Sequence, residues 1–196
     1  MSTVAILSQR RPVLADLVSN TLVANIALVT GAAALVGVLA QISIHIPHTP
    51  VPITGQTLGV LLAGSVLGWR RASLAMSLYL AAGIAGVPWF ASHTGGYPTA
   101  TFGYIIGFIA AGALTGWLAS RGADRNVIRT VISMIAGELL IYAIGVPWLA
   151  VATHQSLLWA LHWGMVVFIA GDIIKAALCG VALPSTWRIV ERATKR

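Results

Sequence analysis

Gly171-Asp172-Ile173-Ile174-Lys175 sets an acid and a base inside an apolar run from about Leu157 to Leu183, long enough to cross a bilayer as a helix. A charge at bilayer depth costs about 2.5–3.5 kcal/mol on insertion scales, so such a residue faces a cavity or a partner. Three residues apart, Asp172 and Lys175 share one helical face, roughly 60° apart around the axis and about 4.5 Å along it. They can pair with each other. They can also hold a ligand that offers N–H donors at one end and an anionic group at the other.

Composition places that helix among others. Of the 196 residues, 58% are hydrophobic and only 9% charged, which marks an integral membrane protein. At about 20 residues per crossing, the length holds six helices and no separate soluble domain. Apolar segments fall at about 21–44, 53–68, 72–90, 102–120, 127–151 and 157–183, separated by Gly, Pro and polar clusters. Residues 1–20 carry Arg10, Arg11 and Pro12 ahead of Val13, Leu14, Leu17 and Val18, which fits a short cytoplasmic interfacial helix. A cleaved signal peptide is the rival reading. Its candidate cleavage site, Ala32-Ala33-Ala34, lies within a run that stays apolar to about Ile44.

The basic residues fall on alternate connections. Arg10 and Arg11 precede the first segment, Arg70 and Arg71 divide the second from the third, and Arg121, Arg125 and Arg129 surround the join of the fourth and fifth. Arg188, Arg192, Lys195 and Arg196 follow the sixth, in a basic cytoplasmic tail over residues 184–196. The connections around Pro47–Pro52, Ser92–Thr101 and Ala152–Ser156 hold neither Lys nor Arg. This alternation predicts an all-α bundle of six transmembrane helices with both termini cytoplasmic. The net charge of +7 then reads as a topology signal and not as a nucleic-acid footprint.

Away from the segment ends, Lys175 is the only Lys or Arg inside a segment, Arg129 standing in the first turn of the fifth. Glu138, in the fifth, is the third intramembrane charge, with Tyr142 one turn further on the same face. Two stretches rich in helix breakers, Pro50-Val51-Pro52-Ile53-Thr54-Gly55-Gln56-Thr57 and Gly86-Val87-Pro88-Trp89-Phe90 through Gly95-Gly96-Tyr97-Pro98, lie on the non-cytoplasmic side. Irregular backbone is tolerated at membrane depth only where it is buried in protein or lines a cavity, so the pair predicts an outward pocket. Thr54 and Gln56 can complete a polar site there or cap the following helix. Trp89, Phe90, Tyr104 and Trp148 serve as apolar walls or as interfacial anchors.

Other chemistry is poorly supported. His45, His48, His93, His154 and His162 all fall on the outer side, which invites a membrane metalloprotein, but Pro47 breaks the spacing of the first two and no carboxylate or cysteine joins them. No metal ligand is assigned. H-E-x-x-H, G-x-S-x-G and the phosphate-binding G-x-x-x-x-G-K-[ST] are absent, so the chain is expected to be no enzyme, and any ATP-driven work falls to partners. Cys179 has no cysteine partner in the chain and reads as a small core residue. The first segment carries two small-residue stripes, Ala27/Gly31/Ala34 and Ala33/Gly37/Ala40, suited to helix packing within the bundle or against another subunit.

Several stretches taken together resemble the BioY family, the biotin-capturing S components of energy-coupling-factor transporters. They are Val51-Pro52-Ile53-Thr54 with Gln56, Leu61-Leu62-Ala63-Gly64 through Gly68, Tyr79 with Gly83-Ile84-Ala85-Gly86-Val87-Pro88 and Phe90, Gly103-Tyr104-Ile105-Ile106-Gly107-Phe108, Gly145-Val146-Pro147-Trp148-Leu149-Ala150, and Gly171-Asp172-Ile173-Ile174-Lys175-Ala176. The resemblance runs in order from about residue 21 to 183. It implies a six-helix subunit of the bacterial plasma membrane that binds biotin near its outer face, as transported ligand and with no cofactor. It also implies a membrane coupling subunit and cytoplasmic ATPases as partners, with self-association as the arrangement of members that work alone. Biotin offers ureido N–H donors, an apolar thioether ring and a carboxylate, which Asp172, aromatic walls and Lys175 can serve in turn. The ligand-binding set is Asp172, Lys175, Gln56, Thr54, Tyr104, Tyr79, Trp89 and Phe90. The chain departs from the family pattern at Phe102, at Ala170 and in a shorter loop between the third and fourth spans, from which only Tyr104 is carried over. An S-type subunit for a different vitamin is the alternative function.

Overall fold

The computed structural model describes residues 11–18, 21–97 and 100–194. Expectations on residues 1–10 and on Pro98, Lys195 and Arg196 lie outside the described residues. Among the described residues there are seven α-helices: α1 Leu22–Ala40, α2 Gln56–Leu67, α3 Trp69–Ile84, α4 Phe102–Ala119, α5 Val127–Thr153, α6 Leu157–Gly164 and α7 Ile169–Thr194. Four stretches of the described residues are long and apolar enough to cross a membrane: α1, α4, α5 and the continuous run Leu157–Thr194 formed by α6 and α7. The α2 helix is apolar but shorter.

Helix starts follow local side-chain chemistry. Thr21, Asn126 and Ser156 cap α1, α5 and α6 by accepting from the N–H groups of Ala24, Arg129 and Trp159. Apolar side chains on the outer faces, among them Val23, Ile26, Leu139, Ile173, Ile174 and Leu178, are exposed, as lipid-facing surface requires. On α1 the two small-residue stripes divide. Ala33, Gly37 and Ala40 pack inward, whereas Ala27, Gly31 and Ala34 are exposed.

The centre is a close stack of α2, α4 and α5, with α3 against α4 and α7 against α5. The α2–α3 turn is made at Gly68, whose φ of +76° favours glycine. That turn rests on α4 where Gly116 has no side chain: a Cβ there would lie 2.4 Å from the Trp69 amide nitrogen.

The predicted irregular entrance to the second span takes a more ordered form. Strands β1 Ser43–Ile44 and β2 Ile53–Thr54 pair antiparallel, Ser43 against Thr54 and Ile44 against Ile53. The last span also differs from a single helix. The α6 helix stops at Gly164, Met165 adopts φ −137° and ψ −59°, and a 3-10 turn over Val166–Phe168 precedes α7. This break puts Asp172 in the first turn of α7, where the helix dipole favours a carboxylate.

The described part of the N-terminal segment is a 3-10 turn, Leu14–Leu17, with Val13 and Ala15 buried against the end of the bundle. It is held by the Arg11 N–H donating to the Ser120 carbonyl (2.8 Å), by Arg125 donating to the Pro12 carbonyl (3.1 Å) and by the Arg71–Asp16 ion pair (2.8 Å). Arg125 also stacks on Trp187 of α7, 3.9 Å from the ring centre, and the Trp187 indole N–H donates to Asp124. Burial pushes the Asp124 carboxyl up from its ordinary range, with the Trp187 hydrogen bond acting in the opposite sense. The native state thus holds this proton more tightly than the unfolded chain, and stability falls as pH rises through its titration. Asp124→Asn is expected to flatten that slope. Trp187→Phe, which leaves the buried carboxyl without its donor, is expected to steepen it and to cost about 1–3 kcal/mol. Thermal unfolding across pH in detergent checks both.

Candidate functional site

A cavity of about 320 Å³ opens between the β1–β2 hairpin, the loop after α3 and the upper ends of α4, α5 and α7. Its floor is polar. Lys175 Nζ donates to Asp172 Oδ1 (3.1 Å) and to Thr57 Oγ1 (2.9 Å), and the Tyr142 hydroxyl donates to the other Asp172 oxygen. Asp172 is 9% exposed, while the adjacent Ile173 and Ile174 are 61% and 62% exposed. The charged face of α7 therefore turns into the protein and its apolar face toward lipid. An ammonium has three donors, so Lys175 retains one N–H beyond these two bonds.

The walls are mainly apolar: Phe90, Tyr104, Ile105, Phe108, Ile141 and Phe168, with Val51 and Pro52 at the top. Two of the aromatics reach their places because glycines stand behind them. A Cβ on Gly83 would lie 2.1 Å from the Phe90 ring, and one on Gly145 would lie 2.4 Å from the Tyr104 ring. The Tyr104 hydroxyl donates to the Gly164 carbonyl at 2.9 Å, in the break between α6 and α7.

Thr54 and Gln56 meet at the cavity edge. The Thr54 hydroxyl donates to Gln56 Oε1 (2.9 Å) and accepts from the Gln56 backbone N–H (3.3 Å). Gln56 Nε2 donates to the Tyr79 hydroxyl at 2.6 Å. The Tyr79 hydroxyl in turn donates to the Trp89 carbonyl (3.3 Å), and the Trp89 indole N–H donates to the Tyr79 carbonyl (2.9 Å). Of the eight residues in the predicted set, Asp172, Lys175, Gln56, Thr54, Tyr104 and Phe90 line the cavity. Tyr79 and Trp89 do not; they stand behind Gln56 and Phe90. Tyr79 is fully buried, and its ring packs on both Trp89 and Phe90. Trp148 lies against Phe102, away from the cavity lining.

Tyr79→Phe therefore leaves Gln56 Nε2 without its acceptor. It is expected to lower ligand affinity about tenfold, roughly the 1.4 kcal/mol of one such bond. Unchanged affinity on titration would mean that the orientation of Gln56 does not matter to the ligand.

Several contributors escape sequence reasoning. Tyr142 had a signal, its position one turn beyond Glu138, but its bond to Asp172 crosses between helices 30 residues apart. Thr57 meets Lys175 across 118 residues. Gln41 ties the loop after α3 down: its Nε2 donates to the carbonyls of Gly37 (2.8 Å), Trp89 (3.2 Å) and Phe90 (3.2 Å), while its Oε1 accepts from the His93 N–H (2.9 Å). At the mouth His45 lies 3.3 Å from the Ser92 hydroxyl, linking hairpin and loop. Ala100 and Thr101, from the loop set aside in the sequence, line the cavity as well. Among the described residues no group of three His, Cys, Asp or Glu converges to hold a metal. His48 and His162 both pack on Trp163 instead.

Comparison with known proteins gives a consistent result. A family model described as the BioY family matches residues 9–192. The biotin transporter BioY of Rhizobium etli is 34% identical over 155 residues, covering 74% of this chain and 81% of that protein. The probable biotin transporter BioY of Pyrococcus horikoshii is 39% identical over 156 residues, covering 78% and 90%. Among solved structures, the crystal structure of the S-component for biotin from an ECF-type ABC transporter superposes with a TM-score of 0.78 at 26% identity. It covers 87% of this chain and 94% of that one.

Proposed function

This chain belongs to the BioY family, and on that premise we propose that it captures biotin from the outer side of the bacterial plasma membrane and mediates its uptake. The observation that carries the reading is the largely buried Asp172–Lys175 pair at the foot of a cavity with apolar walls. About 320 Å³ lies at the lower end of the range for small-molecule sites, roughly 300–1,000 Å³.

Asp172 and Lys175 lie 3.1 Å apart, too close to hold opposite ends of biotin and with a carboxylate that would repel the ligand's own. The pair therefore meets the ureido end: its N–H groups donate to Asp172 and its carbonyl accepts from Lys175. The thioether ring packs on Phe90, Tyr104 and Phe108, and the carboxylate faces the mouth. Thr54 and Gln56 add polar contacts at the edge, with Tyr79 and Trp89 holding Gln56 and Phe90 in place. The alternating basic connections support six crossings with both termini in the cytoplasm. The hairpin and the loop after α3 close the outer mouth, and release inward follows reorientation of the bundle. Its partners are a membrane coupling subunit and cytoplasmic ATPases, or further copies of the chain where it works alone.

Calorimetric titration of the detergent-purified protein with biotin, using riboflavin and thiamine as controls, tests the reading. Tight binding of biotin alone supports it. Binding of another vitamin without biotin heat would keep the fold and overturn the substrate.

A further inference from the structure

The mouth of the cavity is poor in charge. At the floor, Asp172 and Lys175 neutralise each other at 3.1 Å. Above them, residues 17–69, 72–120 and 139–171 include both loops at the mouth and contain no Lys, Arg, Asp or Glu. An anionic group at the mouth therefore finds only histidine as a cation. Among the described residues, His45 is the histidine that lines the cavity. His48 and His162 pack on Trp163, and His154 ends α5.

The hairpin aims His45 inward. Successive side chains of a strand point to opposite faces, so Ser43 and His45 share one face while Ile44, 62% exposed, takes the other. Thr54, which pairs with Ser43, lies on the inward face and lines the cavity. His45 Nε2 lies 3.3 Å from the Ser92 hydroxyl, and Ser43 Oγ lies 3.4 Å from it. Ser92 belongs to the loop that also supplies the wall residue Phe90. It is held at φ +60° and ψ +36°, a region that side chains seldom adopt, which constrains where its hydroxyl points. With one ring nitrogen of His45 on Ser92, the other is left to meet a group entering the mouth.

We propose that His45, positioned by Ser92, receives the carboxylate of the bound ligand and makes the protein select the free acid over its amide. This rests on the reading that biotin's ureido end meets Asp172 and Lys175, which leaves its carboxylate at the mouth. Histidine titrates between about pH 5 and pH 8, so the contact is an ion pair at the acid end of that range and a neutral hydrogen bond at the other. The preference for the acid therefore grows as pH falls. The other titratable groups around the cavity are Tyr104 from α4, Tyr142 from α5, and Asp172 and Lys175 from α7. From the hairpin and the loop after α3, Thr54, Ser92 and Thr94 carry no charge, and His93 does not line the cavity. Titration of the floor or walls acts on acid and amide alike, so the ratio of their affinities isolates the mouth.

The test is calorimetric titration of the detergent-purified protein with biotin and with biotinamide from pH 5.5 to pH 8. An aliphatic carboxylate stays largely ionised across this range, and the amide is neutral throughout. The wild-type protein is expected to bind biotin about three- to fivefold more tightly than biotinamide at pH 5.5, the scale of an exposed ion pair, with the ratio shrinking as pH rises. His45→Gln keeps a side-chain donor without the charge, and its ratio is expected to be flat with pH. His45 is exposed, so this variant is expected to fold. A wild-type ratio that does not change with pH overturns the proposal. So does a His45→Gln ratio that still follows pH as the wild type's does, even if both ligands bind more weakly, since the imidazole would then only tie the hairpin to the loop. Absence of binding of either ligand to the wild type would instead overturn the proposed function.

Discussion

Lys175→Ala is expected to lower biotin affinity by at least about 30-fold in a protein that still inserts and purifies. The magnitude follows from truncating one partner of a buried charge pair, about 2–5 kcal/mol, much of it the penalty on the group left behind. Here three groups are left. Asp172 loses its cation, Thr57 loses the donor at 2.9 Å, and the ligand loses the donor that Lys175 offers it. Asp172→Asn should act with similar size through a different route. The amide still accepts from Tyr142 but no longer offsets the ammonium, and it accepts ureido N–H groups more weakly than a carboxylate does. Titration calorimetry reads both variants. Unchanged affinity in either removes that residue from the site.

Gly116→Ala is expected to lower stability by about 1–3 kcal/mol, the usual cost of overpacking a close contact. The three atoms that an added Cβ would meet are the Trp69 nitrogen at 2.4 Å, the Gly68 carbonyl carbon at 2.6 Å and the Trp69 Cα at 2.8 Å. All are backbone, so no side chain can swing aside. The turn cannot easily retreat either, because Gly68 holds it at φ +76°. Gly31→Ala is the matched control, since nothing lies within 4 Å of the new methyl group. Thermal melting in detergent should show a lower midpoint for the first and none for the second. An unshifted Gly116→Ala would mean that α4 does not support this turn.

The apolar segments were legible because lipid imposes long runs of one character, and helix is the simplest backbone that satisfies its own hydrogen bonds there. Asp172 and Lys175 stood out for the same reason: the surrounding run makes any charge conspicuous. Thr54, Gln56, Phe90 and Tyr104 came from an ordered resemblance, which marks positions but not which of them touch the cavity. Tyr79 and Trp89 show that gap, since they lie behind the wall and fasten to each other.

What the chain's own order determined is therefore the membrane class, the helical character of its long apolar runs and the charges set within them, all set by composition over neighbouring residues. Only the tertiary structure decided the rest. The break at Met165 that starts α7 just before Asp172, the meeting of Thr57 with Lys175, the bond from Tyr142 to Asp172 and the inward face of α1 depend on how separate helices rotate and approach. Helix rotation is set by small residues and polar partners on the other helices, which no local pattern records.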